Sequence, residues 1–142
     1  REDPMRRGTS KAFLALLAAA CWSPVPAEFR LYAPLDRSQP PVVFVSSADL
    51  RAPIEASLER AGFAITQSAR EASIFVAASV GGVRSSGTTC GPVRNVRYEV
   101  RQSGVVLAIG RARGPTGECP GNVFDEMSRK LALGVLGESA AR

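Results

Sequence analysis

The chemistry open to this chain rests on arginine and cysteine. It has no histidine, so the usual general base at neutral pH and the commonest metal ligand are both missing. Arg94, Arg97, Arg101, Arg111 and Arg113 gather in two neighbouring segments, with Arg84 nearby. Guanidinium forks match phosphate and carboxylate groups. These arginines are therefore the candidate site for an anionic partner: lipopolysaccharide phosphates, phospholipid headgroups or an acidic protein surface. The plainer reading is a solvated strand face on which Glu99 pairs with its arginine neighbours.

Cys90 and Cys119 lie in turn-like surroundings, Thr89-Cys90-Gly91-Pro92 and Glu118-Cys119-Pro120-Gly121. With Cys21 set aside they form an even pair, which in an exported domain reads as one disulfide. A bridge closing a loop of roughly 30 residues contributes about 3–4 kcal/mol in the chain-entropy model. A reactive thiol is the other use of such a cysteine, and no histidine is present to activate it.

Other chemistries find less support. Gly110 to Gly121 is glycine-rich and precedes a helical pattern, but lacks the Gly-Lys-Ser/Thr ending of a phosphate-binding loop. Asp125 and Glu126 would also oppose an anion at that helix start. Asp49, Glu55 and Glu59 read as caps or solvated helix positions. No Cys/His cluster offers a metal site, and no spacing singles out a serine or threonine nucleophile. The expectation is a protein that is not an enzyme and takes no cofactor or metal. A soluble periplasmic domain, either a binding module or a hydrolase working without histidine, is the alternative.

The N-terminal region speaks to destination. Arg1 to Pro4 precede Met5 and read as an upstream extension. Arg6, Arg7 and Lys11 form a positive region, followed by the apolar stretch Ala12 to Ala20 (AFLALLAAA). That stretch is too short to span a bilayer, which takes about 20 apolar residues, and suits a signal-peptide core. It ends Leu17-Ala18-Ala19-Ala20-Cys21, which resembles the lipobox of bacterial lipoproteins. The resemblance implies cleavage before Cys21 and acylation of Cys21, and two or more acyl chains give stable anchoring. Trp22, where an aspartate would favour the inner membrane, points to the outer membrane facing the periplasm. Ordinary signal-peptidase cleavage after Ala20 or Ala27 gives a soluble periplasmic protein instead.

The elements that must position the arginines follow. The 21–39 region carries Pro24, Pro26 and Pro34 and reads as a lipidated cysteine with a proline-rich tether. Phe29, Leu31 and Tyr32 leave open a short edge strand. A single domain is expected over 40–137, with a tail at 138–142. Val42 to Val45 is a buried-strand run. A helix follows over about Asp49 to Ala61, with Ser46, Ser47 and Asp49 as caps and Leu50, Ile54, Leu58 and Ala61 on one face. Gly62-Phe63 stops it. Phe63 to Gln67 and Ser73 to Val80 read as strands, and 81–91 as a glycine-rich loop. Val93 to Arg101 alternates, with Val96, Tyr98 and Val100 opposite Asn95, Arg97, Glu99 and Arg101. Ser103-Gly104 turns the chain into Val105 to Arg113. Asn122 with Asp125 resembles a capping pair for a last helix carrying Phe124, Met127, Leu131 and Val135.

This order predicts an α/β two-layer sandwich, a mixed sheet of four to five strands with two helices packed on one face. The formal net charge of +5 over 142 residues is mildly basic and no nucleic-acid signature. The layout over about residues 40 to 137 resembles the lipoprotein partner family of the lipopolysaccharide translocon. Val42 to Val45, the helix after it, Asn95-Val96-Arg97-Tyr98 and the final helix fit that family's order. The resemblance implies an outer-membrane assembly accessory with an envelope protein or anionic lipid as partner.

Overall fold

The described residues of the computed structural model are 25–47, 49–82 and 90–137. They form β1 (Val25–Leu31), β2 (Val42–Ser46), α1 (Arg51–Arg60), β3 (Ala64–Ile65), β4 (Ile74–Val80), β5 (Val93–Gln102), β6 (Val105–Pro115) and α2 (Val123–Val135). The strands make one six-stranded sheet in the order β1-β6-β5-β4-β2-β3. β2 runs parallel to β3 and β4, and every other pairing is antiparallel. The expected two-layer α/β sandwich is what forms, with six strands rather than four to five.

The additional strand comes from the segment read as a tether. β1 pairs with β6, placing Phe29 opposite Gly110 and Leu31 opposite Ala108. This is the edge strand that Phe29, Leu31 and Tyr32 left open, and the folded unit reaches back to Val25. The ring of Phe29 lies directly on Gly110, where a Cβ would collide with it. It also meets Tyr98 edge-on, with centroids 6.5 Å apart. Glycine at 110 thus creates the seat that ties the edge strand to the core.

Strand parity builds the core on one face only. Val43, Val45, Ile74, Val76, Val96, Tyr98, Val100 and Ala108 are fully or almost fully buried and meet Ile54, Leu58, Phe124, Met127 and Leu131 from the helices. Burial of these side chains is the main stabilising term, about 1.5–3 kcal/mol for each large one. Within that core the hydroxyls of Tyr98 and Ser128 are buried without a hydrogen bond. Burial pushes the Tyr98 phenol well above its ordinary range; the nearby Ser128 hydroxyl works against that and the charge of Asp125 adds to it.

The helix ends show where local rules hold. At the end of α1, Gly62 takes a positive φ of 109°. Gly62 and Phe63 donate their N–H groups to Glu59 and Leu58, closing the last turn as the sequence predicts. α2 starts as expected: Asn122 Oδ1 accepts from the Asp125 N–H at 2.9 Å. The start of α1 differs. Leu50 occupies the cap position in a left-handed conformation with no side-chain cap, and Ser47 Oγ instead donates to the Asp49 carbonyl at 2.6 Å. No helix among the described residues is long and apolar enough to cross a membrane.

Candidate functional site

Among the described residues no element covers the sheet face away from the helices, and its composition changes along its length. At one end Phe44 and Phe75 meet edge-on across β2 and β4, with Arg51 over the Phe44 ring at 4.9 Å. At the other end the side chains are arginines. Arg97 and Arg111 are direct cross-strand partners on β5 and β6, and Arg113 faces Asn95 one pair further along.

A β-bulge produces this meeting. Next to the turn, Gln102 pairs with Val105 and Arg101 with Val106, but Val100 already pairs with Ala108. Leu107 is the extra residue. A one-residue change of register turns every following side chain to the other face. Without the bulge, Arg111 would fall opposite Val96 and point into the core. With it, Arg111 and Arg113 turn outward beside Arg97. The bulge is anchored from β1's end, where the Tyr32 and Ala33 N–H groups both donate to the Leu107 carbonyl at 2.8 and 3.3 Å. Leu107 itself is 2% exposed, so its side chain fills the core at the kink.

The carboxylates on this face are unevenly shared. Glu99 accepts from Arg101 Nε at 2.9 Å and lies 3.5 Å from an Arg97 nitrogen. The hydrogen bond from Arg101 is the main reason its carboxyl sits below the usual glutamate range; desolvation opposes this, and the charges of Arg101 and Arg97 add to it. The pairing expected of a solvated strand face therefore does occur, at Arg101 and, at longer range, at Arg97. Arg111 and Arg113 form no ion pair among the described residues, although Glu28 stands opposite Arg111 across β1 and β6. Ser79, Gly81, Asn95, Arg97, Arg111 and Arg113 line a hollow of about 330 Å³ beyond the end of β4. A second hollow of about 480 Å³ lies on the β1 side of Arg111, lined in part by Glu28, Arg30 and Tyr32.

Of the five arginines singled out by sequence, Arg97, Arg101, Arg111 and Arg113 share this face. Arg94 does not. It falls in the parity of Val96 and Tyr98, opposite Gly114, and its Nε is buried without a partner. Arg30, which sequence reading left in the tether, reaches the open face from β1. Arg84 lies outside the described residues, as do Cys21 and the whole leader.

Cys90 and Cys119 are disulfide-bonded, with Cα atoms 5.7 Å apart. The bond ties together the two loops at one end of the β5–β6 hairpin. There the Gly117 N–H donates to the Cys90 carbonyl at 2.6 Å, and Thr116 donates to the Pro92 carbonyl through both its N–H and its hydroxyl. A Cβ on Gly117 would strike the Cys90 carbonyl, which explains the glycine at this crossing. Three of the other carboxylates considered by sequence are engaged structurally: Glu55 with Arg51 and Gln67, Asp125 with Arg60, Glu126 with Arg129. No cluster of histidine, cysteine, aspartate or glutamate suited to a metal occurs among the described residues.

Fold and site together define a small two-layer α/β protein with one uncovered, arginine-bearing sheet face. No family model and no curated protein matches the chain. Solved structures do match. A PelC dodecamer from Paraburkholderia phytofirmans superposes with a TM-score of 0.50 at 18% identity, covering 77% of this chain and 97% of that one. A leucine-to-methionine variant of the same protein, also a dodecamer, gives 0.52 at 17% identity over 80% and 99%. The likeness spans nearly the whole of PelC and concerns the fold.

Proposed function

We propose that this chain is a non-enzymatic accessory of the bacterial cell envelope, tethered to a membrane through lipid on Cys21. It binds an anionic partner over the open face of its sheet. One observation carries the binding reading. Arg97, Arg111 and Arg113 converge on a face that no other described element covers, and Arg111 and Arg113 have no carboxylate partner among the described residues. Arginine forks presented this way suit phosphate or carboxylate groups. The envelope setting is supported by the leader pattern that ends at Cys21. The likeness to dodecameric proteins supports self-association.

The test uses detergent-extracted protein immobilised on a sensor surface, with soluble polyphosphate, polyglutamate and polylysine as probes. The expected result is binding of the acidic polymers and not of polylysine, weakened at least tenfold in an Arg97→Glu, Arg111→Glu double variant. Equal binding by the variant and the wild-type protein would overturn the reading.

A further inference from the structure

We infer that the hollow between Arg97, Arg111 and Arg113 is a site for a single phosphate monoester group, not a diffuse patch of positive charge. The inference rests on the anionic-partner reading above and narrows it to one place and one chemistry.

Three features single out this end of the face. The first is charge only partly relieved. Arg97 and Arg111 stand directly opposite each other, an arrangement that costs stability unless an anion bridges it. Glu99 pairs with Arg97 at 3.5 Å while giving its shorter contact to Arg101, and Arg111 and Arg113 have no ion pair among the described residues. The second is shape. β4 ends at Val80, opposite Val96, so Arg113 and Asn95 flank a hollow rather than a flat strand surface. The Ser79 hydroxyl and the Asn95 amide border the same hollow and add neutral hydrogen-bonding groups. The third is valence. A carboxylate has two coplanar oxygens and is satisfied by one guanidinium fork. A phosphate monoester has three free oxygens arranged in a pyramid and up to two negative charges, which three forks from different directions can share. The Arg101 end of the face lacks these features, because its guanidinium is already paired with Glu99.

The group could be inorganic phosphate or the phosphorylated head of a lipid, and both present the same oxygens. Calorimetric titration of the detergent-extracted full chain at low salt separates the cases. Inorganic phosphate, glycerol 3-phosphate and glycerate serve as probes. The expected result is that glycerol 3-phosphate binds at least tenfold more tightly than glycerate. Arg111→Gln and Arg113→Gln each lose at least tenfold for the phosphate probes, while Arg101→Gln stays within twofold. Arg111→Lys, which keeps the charge and loses the fork, falls in between. Inorganic phosphate equal to glycerol 3-phosphate assigns the bare ion as sufficient; a tenfold preference for glycerol 3-phosphate assigns a headgroup. Both results support the site. Glycerate binding as well as the phosphates, or Arg101→Gln losing as much as Arg111→Gln, overturns it while leaving the wider anionic face standing. Failure of the acidic polymers as well would remove that wider reading too.

Discussion

At the residue scale, the arginines at the open end of the sheet are placed against stability. Like charges directly opposite each other in neighbouring strands cost roughly 0.2–1 kcal/mol. Arg97 and Arg111 form such a pair, relieved only on the Arg97 side, where Glu99 lies 3.5 Å away. Arg111→Gln is therefore expected to raise stability by about 0.5 kcal/mol while weakening anion binding. Urea unfolding of the two proteins checks this, and a loss of more than about 1 kcal/mol would show that Arg111 holds the fold together instead. Glu99 behaves oppositely. Its carboxyl is held below the ordinary range, first by the Arg101 hydrogen bond. The folded state thus binds that proton less readily than the unfolded chain. The resulting stability is present at neutral pH and is lost as pH falls through the lowered folded value. Asp36, lowered by the Ser38 N–H, contributes in the same direction. Glu99→Gln is expected to flatten, without abolishing, the acid limb of stability against pH; superimposable limbs would contradict the assignment.

At the element scale, the bulge in β6 and the disulfide decide where the site residues go. Deleting Leu107 leaves Ala108 opposite Val100 and Arg111 opposite Arg97 in an unbroken ladder, and removes a core side chain that is 2% exposed. The deletion variant is expected to keep its binding of acidic polymers while losing about 2–5 kcal/mol of stability on urea unfolding, the cost of removing a core leucine; lost binding in a folded variant would mean that the bulge itself shapes the site. Reducing the Cys90–Cys119 bond is expected to cost about 3–4 kcal/mol for a loop of 29 residues. Denaturation midpoints with and without reductant measure that cost, and coincident midpoints would contradict it. These elements also show what a sequence reveals. The alternation in β5 was legible because one of its faces is buried and the other is not. The Gly62 stop and the Asn122 cap were legible because each is a local hydrogen-bond arrangement. β1 was legible only as one of two readings, since prolines suit a tether and an edge strand equally well. The bulge carries no signal in residue type, because Leu107 looks like any other core leucine. Arg94 was grouped with the site by its nearness in sequence, although its parity with Val96 already placed it on the helix side.

At the scale of the whole molecule, the layers leave one sheet face without a cover, and the two ends of that face differ in kind. The Phe44–Phe75 end carries aromatic rings under one cation, and the Arg97–Arg111–Arg113 end carries charge and a hollow. A face so divided suits a partner that is held at one end by its anion. Element order alone did not choose between families. The solved structures that match are PelC, at 17–18% identity, and the likeness concerns the fold. The proposed tether at Cys21 would give the arginine face its setting, because a site for anions acts differently beside a membrane than free in solution. The measurement that bears most directly on this is the intact mass of the protein recovered from the membrane fraction of a Gram-negative host, with and without reductant. The account predicts a chain beginning at Cys21 with added acyl groups, gaining the mass of two hydrogens on reduction. An unacylated mass beginning elsewhere, with the protein found in the soluble periplasmic fraction, would contradict it.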